Sequence, residues 1–186
     1  PGSKKVTLRE VPELYDGIQQ ALGLDERPNI EAAVLEGERL RLFHRGAGTA
    51  PSASVEVPLA ALEGGRFQVL ALQWFELGAL DGVALHITDA ATTGPARTLF
   101  LATAERTDDA IADGPVAGSA VGLIEVYPHR TSVRWTRLVE HDGQPSQRKI
   151  EGLAVDADRC GAWALTDPDT PDQPAELCRL ALEGFA

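Results

Sequence analysis

Acidic side chains occupy matching places in three stretches of this sequence. Glu31 and Glu151 each follow an isoleucine at the start of a predicted strand. Thr88 and Asp89 take the same place in a third stretch. Carboxylates that converge from separate strands raise one another's pKa values unless a cation or an arginine neutralises them. Ca²⁺ suits such a place because it accepts several oxygen ligands in flexible geometry. We therefore expect a cation-binding cluster with Glu31 and Glu151 as metal ligands.

More polar residues fall at the ends of the predicted second strands. Because the second strand of an antiparallel pair returns toward the start of the first, these residues are expected at the same mouth as the glutamates. They are His44 and Arg45 in the first stretch, Glu105 and Arg106 in the second, and Asp167 and Asp169 in the third. We expect ligand contacts from Arg45, Asp89, Arg106, Asp167 and Asp169. The alternative is structural: the two glutamates bond to Arg45, Arg106 or backbone amides.

Short strands between Gly, Pro and Asp turns must position these side chains. Regular spacing of alternating apolar segments is typical of an all-β sandwich, barrel or propeller. The N-terminal part differs: a helix is predicted over Pro12–Leu22, because proline suits the first helical turn and apolar residues recur at helical spacing. The predicted strands are residues 5–9, 30–35, 39–45, 54–59, 67–75, 85–90, 97–105, 116–126, 131–139, 150–155, 161–166 and 175–182.

An internal repeat favours the propeller among these architectures. Residues 29–34 resemble residues 149–154, and residues 59–64 resemble residues 179–184 at the same offset. A degenerate copy begins at His86. We therefore predict three propeller-type blades in one all-β domain that follows an N-terminal strand and helix. The predicted divisions are residues 1–28, 29–80, 81–145 and 146–186.

The predicted ring is incomplete. The third unit lacks an outer strand, which Lys5–Arg9 is a candidate to supply. Three blades do not close a ring, since propellers have about 4–8 blades. We expect either further N-terminal blades or a second chain to complete it. Trp74, Trp135 and Trp163 lie on predicted strands and are expected in core or inter-blade packing.

Composition limits the partners. The 186 residues carry a formal net charge of −11, which repels nucleic acid and anionic membranes. No apolar run is long enough to span a bilayer and no signal peptide is visible, so a cytoplasmic location is expected. The sequence has no methionine, so its N-terminus is processed, trimmed or absent, and a periplasmic location stays open. Cys160 and Cys178 are expected as free thiols.

A family resemblance rests on the repeat motif. Residues 149–156, which contain Glu151-Gly152-Leu153-Ala154, resemble the blade motif of bacterial esterase-like phytase and calcium-dependent phosphotriesterase-like propellers. More closely, residues 29–46, 82–90, 113–120 and 149–182 resemble a family of uncharacterised bacterial propellers of unknown function. The resemblance implies that Glu31 and Glu151 match motif glutamates that can hold a central metal, whereas Thr88 departs from the motif. It also implies that a further N-terminal stretch of the family is absent.

Three functions fit these observations. The first is a propeller module that binds an unidentified small molecule or partner at an acidic channel mouth, around Ca²⁺. The second is a metal-dependent hydrolase of a phosphoester, ester or lactone, in which Ca²⁺ polarises the scissile group and His44 or Glu105 is the general base. The third is a structural half-propeller that another chain completes.

Overall fold

A computed structural model describes residues 8–64, 66–107, 114–158 and 161–185. These residues are mostly β, with three antiparallel sheets of four, five and three strands, one short α-helix, α1 (Pro12–Leu22), and a 3-10 helix at Leu59–Glu63. Sheet 1 contains β1 (Ile30–Glu36), β2 (Arg39–His44), β3 (Ser52–Pro58) and β4 (Ala71–Phe75). Sheet 2 contains β5 (Ala79–Leu80), β6 (Val83–Gly94), β7 (Arg97–Glu105), β8 (Val116–Tyr127) and β9 (Arg130–Arg137). Sheet 3 contains β10 (Ile150–Val155), β11 (Gly161–Thr166) and β12 (Leu177–Ala181).

Helix α1 has the bounds that the sequence predicts. Pro12 opens it, and Gly23 ends it in the left-handed conformation at φ 64°, which glycine adopts without steric cost. The Gly23 amide donates to the Gln20 carbonyl at 3.2 Å. Leu14, Ile18 and Leu22 form the buried face. The helix therefore offers one apolar stripe to a sheet.

The elements stack in four layers. Helix α1 packs on one face of sheet 1, sheet 1 packs on sheet 2 through its other face, and sheet 2 packs on sheet 3. Each sheet is a meander of sequential neighbours, so the chain completes one layer before it begins the next. The first long strands of the three sheets lie side by side, since β6 contacts both β1 and β10. This arrangement brings the ends of the three repeat units together.

A break in register occurs at the same motif position in each sheet. The pairing of β1 with β2 shifts at Glu31, that of β6 with β7 at Thr88, and that of β10 with β11 at Glu151. Such a β-bulge leaves one residue unpaired and redirects its side chain. The three repeat units therefore share a local backbone feature as well as a sequence motif.

Several elements differ from their predicted bounds. Strand β4 begins at Ala71, because Phe67 and Val69 pack against the α1 cluster instead of extending the strand. The predicted divisions place residues 79 and 80 in the first unit, but these residues pair with β6 in sheet 2. Of the predicted N-terminal strand, residues 5–7 lie outside the described residues. Residues 8 and 9 form no strand, and the Arg9 side chain approaches Gly64 instead of sheet 3.

The tryptophans and cysteines have mixed outcomes. Trp135 packs against the core between sheets 1 and 2, as expected. Trp74 and Trp163 are exposed. Cys178 is a free cysteine, whereas Cys160 lies outside the described residues. No helix in the described part of the chain has the length and apolar character needed to cross a membrane.

Candidate functional site

A row of alternating charges runs across the three sheets where the repeat units meet. We call it the charge row, and it consists of Glu31, Arg45, Glu105, Lys149, Glu151 and Asp169. Each sheet contributes to it: Glu31 is at the first bulge, Glu105 ends β7, and Lys149 directly precedes β10. Four of the six residues are among the metal and ligand positions predicted from the three stretches, and Glu105 was a predicted general base. The structure therefore brings these predicted residues together.

Glu105 is the centre of the charge row. Its side chain is 1% exposed, and those of Arg45 and Lys149 are 8% and 5% exposed. Arg45 Nη2 donates to Glu105 Oε2, and Lys149 Nζ lies 3.3 Å from Oε1. A carboxylate removed from water is tolerated when cations and hydrogen bonds compensate it. The two basic residues therefore neutralise Glu105 and join the ends of sheets 1 and 3 to sheet 2.

The two ends of the charge row repeat one local pattern. Asn29 Nδ2 donates to Glu31 Oε1 at 2.7 Å, and Lys149 Nζ lies 3.2 Å from Glu151 Oε1. Lys149 also donates to Asp169 Oδ1 at 2.8 Å, while Arg45 Nη1 lies 3.7 Å from Glu31 Oε1. The residue two places before each motif glutamate therefore contacts that glutamate's carboxylate.

Lys149 is the one residue of the charge row that was not predicted from the sequence. Lys149 begins the repeat motif, at the position that Asn29 and His86 occupy in the other two units. Its positive charge by itself gave no indication of a role. The repeat alignment contained the signal, because equivalent positions in a repeated unit face equivalent neighbours. The backbone follows the same equivalence: the Arg45 amide donates to the Asn29 carbonyl, and the Asp167 amide donates to the Lys149 carbonyl, both at 3.0 Å.

Carboxylates outnumber basic groups in the charge row, by four to two. Burial raises the pKa of Glu151 above its ordinary value; the nearby Lys149 opposes this and the charge of Glu31 adds to it. Burial likewise raises the pKa of Asp89, again with a contribution from Glu31. The region around the motif residues therefore carries a surplus of negative charge.

Asp89 and His44 have structural partners. The Asp89 carboxylate accepts the Ala90 amide at 2.7 Å and the Leu153 amide at 2.6 Å, and thus links β6 to β10. The Asn29 amide donates to His44 Nδ1 at 3.1 Å. Burial lowers the pKa of His44 below its ordinary value, which favours the neutral ring. Both residues lie near the charge row without an ion pair to it among the described contacts.

Arg106 lies apart from the charge row. Its side chain is exposed, and its backbone amide donates to the Pro115 carbonyl at 3.1 Å. The hydrogen bond from Arg137 lowers the pKa of Asp81, and the charge of Arg106 makes a smaller contribution in the same direction. The predicted ligand contact of Arg106 therefore gains no support from its position.

An open cleft of about 940 Å³ adjoins the charge row between the ends of sheets 2 and 3. Lys149 and Asp169 belong to both. The charged lining residues are five carboxylates and two basic groups, namely Glu140, Asp142, Asp167, Asp169, Glu176, Arg148 and Lys149. The cleft lining is therefore net negative.

Arg148 is held at the wall of this cleft. Its Nε donates to Glu140 Oε1 at 3.0 Å, and its Nη1 donates to Glu176 Oε2. A hydrogen bond from Ser146, followed by the effect of Arg148, lowers the pKa of Glu140. Asp142 and Asp167 accept backbone amides instead, from Gln144 and Asp169, each at 3.0 Å. The two aspartates therefore supply negative charge that Arg148 does not neutralise.

The predicted calcium ligands do not form a ready metal site. Glu31 contacts Arg45, and Glu151 contacts Lys149. Within residues 8–64, 66–107, 114–158 and 161–185, no three His, Cys, Asp or Glu side chains are grouped so that they could hold a metal ion. This geometry favours the structural alternative for the two glutamates, and the calcium site stays a prediction.

Comparison with known proteins gives a family whose function is unknown. The sequence model of a family of unknown function (DUF6929) matches residues 1–182. No curated protein and no solved structure matches the chain.

Proposed function

This chain belongs to the family of unknown function DUF6929, and from that premise we propose that it is a binding module of propeller-type blades. Its ligand is a small molecule with a positive charge, or a cation, held in the acidic cleft. The charge row behind the cleft positions Lys149 and Asp169, which form the inner wall. The proposal assigns binding, with no bond made or broken.

Three features support the propeller-type part of the proposal. Each sheet is an antiparallel meander, the first long strands β1, β6 and β10 lie next to one another, and each sheet packs face to face on the next. Blades of a propeller share these relations, with their first strands around a common channel. The three units also share a β-bulge at equivalent motif positions, as repeated blades would.

One observation carries the binding part: Lys149 and Asp169 belong to both the charge row and the cleft. Lys149 is fixed by Glu105, Glu151 and Asp169, so the cleft wall it forms is preorganised. A preorganised wall reduces the ordering cost of binding. Because carboxylates exceed basic groups in the lining, the favoured ligand carries positive charge.

The test compares the same substitution at an aspartate in the cleft and at an aspartate on α1. We expect Asp167→Asn to weaken binding of putrescine or of Ca²⁺ about fivefold, since an exposed charge pair contributes up to about 1 kcal/mol. Asp16→Asn, on the exposed side of α1, is the matched control and leaves affinity unchanged. Titration calorimetry measures both ligands, and the two arms separate an organic cation from a metal ion. No heat with either probe at millimolar concentration, or equal loss in both variants, contradicts the proposal.

The hydrolase alternative stays a prediction. Of its two general-base candidates, Glu105 accepts a hydrogen bond from Arg45 and forms an ion pair with Lys149, and His44 accepts the Asn29 amide. Both are occupied by neighbours, whereas a general base needs reach to a substrate proton. This is why we propose binding in preference to catalysis.

A further inference from the structure

The outer face of sheet 3 presents apolar side chains to solvent. Trp163, Leu165 and Leu177 are 43%, 47% and 67% exposed. Leu165 pairs with Leu177, and Trp163 pairs with Arg179, whose guanidinium lies 5.1 Å from the indole centroid. Alternate residues of a strand share one face, so these side chains form one continuous patch. We call this patch the open face.

The shared bulges show what such a face packs against. The first pair after each bulge brings Phe43, Leu101 and Leu165 to equivalent places. Phe43 is fully buried in the core between sheets 1 and 2, and Leu101 is fully buried in the core between sheets 2 and 3. Leu165 thus occupies the position that the following sheet covers in both earlier sheets. The open face continues two established sheet-to-sheet interfaces and has the pattern of a third.

The opposite end of the stack is already covered. Leu14, Ile18 and Leu22 of α1 pack on the outer face of sheet 1, against residues that include Leu42 and Val55. A second copy that placed its sheet 1 on the open face would first have to displace α1. Contact between the open faces of two copies needs no rearrangement, and an interface between like surfaces closes with two-fold symmetry.

We propose that two copies of this chain form a dimer through their open faces, with Trp163, Leu165 and Leu177 at its centre. The proposal stands apart from ligand binding, since these three residues are absent from the cleft lining. Each chain carries a formal net charge of −11. Like charges oppose association and salt screens them, so the dimer strengthens as salt is added. A basic partner on the same face would be released by salt.

Sedimentation of the full chain tests the dimer. At chain concentrations up to about 100 µM, the expected species has twice the 19.8 kDa chain mass. The expected dissociation constant of the dimer is in the micromolar range. Leu165→Glu weakens dimerisation tenfold or more, because a charge at the centre of an apolar contact is left without a partner. Leu177→Glu is a second variant on the same face. Leu35→Glu is the matched control, since Leu35 is 50% exposed and lies on sheet 1.

Each result decides the proposal. A wild-type dimer that Leu165→Glu and Leu177→Glu dissociate, while Leu35→Glu does not, supports it. A wild-type monomer at every concentration overturns it, as does a dimer that survives both sheet 3 variants. Equal weakening by the control, dissociation by salt, or growth into longer assemblies also overturns it.

Discussion

Two groups of charged residues meet at Lys149 and differ in burial. In the charge row, Glu105 and Lys149 are almost fully buried and lie 3.3 Å apart. In the cleft, Arg148 and Glu176 form an ion pair whose side chains are 38% and 50% exposed. Separating a buried pair strands a charge in a poorly solvated place, whereas water replaces an exposed partner. Oppositely charged side chains therefore join the sheets in the buried charge row and stay in contact with water in the cleft.

The largest expected effect is a difference in the free energy of unfolding between a substitution in the charge row and one in the cleft. Glu105→Gln preserves size but leaves Arg45 and Lys149 without their shared carboxylate, so the free energy of unfolding should fall by about 3–5 kcal/mol. Glu176→Gln removes a carboxylate from an exposed pair and should cost at most about 1 kcal/mol. Urea unfolding of both variants measures the difference. Equal losses would show that burial does not distinguish the charge row from the cleft.

A smaller effect is expected at the link between sheets 2 and 3. Asp89→Ala leaves the amides of Ala90 and Leu153 without their acceptor, at a cost of about 2 kcal/mol for partly buried groups. Asp142→Ala is the cleft counterpart: it also removes an acceptor of a backbone amide, but from an exposed turn. Its cost should be well below that of Asp89→Ala in thermal unfolding. A larger loss of stability in Asp142→Ala than in Asp89→Ala would contradict this structural role of Asp89.

The smallest effect concerns pH and has opposite signs in the two regions. The pKa of Glu151 is raised by burial, so the folded state holds its proton more tightly than the unfolded state. Its contribution to stability therefore falls as pH rises from the ordinary value of 4.5 through the folded pKa. The pKa of Glu140 is lowered, chiefly by Ser146, so its contribution is present above 4.5 and is lost as pH falls.

Unfolding at several pH values checks this pair of signs. As pH rises past 4.5, the free energy of unfolding of Glu151→Gln should increase relative to that of wild type. The free energy of unfolding of Glu140→Gln should decrease relative to that of wild type over the same change. A Glu151→Gln difference that stays constant between pH 4 and pH 7 would contradict the raised pKa. The neutral amide keeps the size of each side chain, so packing changes little.

Local patterns made the elements predictable to different degrees. Helix α1, β7, β10 and β11 have the bounds predicted from the sequence, because Pro12, Gly23 and the alternation of apolar residues act within a few positions. Strand β4 is shorter than predicted because Phe67 and Val69 pack on α1 instead. Alternation predicts that a segment is extended, but it does not say which neighbour the segment contacts.

Most residues of the candidate site could be predicted from the sequence, but the contacts between their side chains could not. The repeat alone predicts that Glu31, Glu151 and Asp169 lie close together. No role for Lys149 was predicted from the sequence. The sequence also did not show that Asp89 accepts the Leu153 amide or that the Arg106 amide donates to Pro115, and the predicted ligand contacts of Asp89 and Arg106 stay predictions. A charged side chain can reach several neighbours, and which one it meets depends on how the sheets are stacked.

The sequence by itself determined three repeated units, most of their strands, the helix and the acidic motif positions. Each of these follows from local preference or from comparison of the chain with itself. The tertiary structure decided that Glu105 is enclosed by Arg45 and Lys149, that α1 covers sheet 1, and that the open face remains exposed. These outcomes depend on contacts between residues far apart in the chain, and their free energy arises when whole sheets pack.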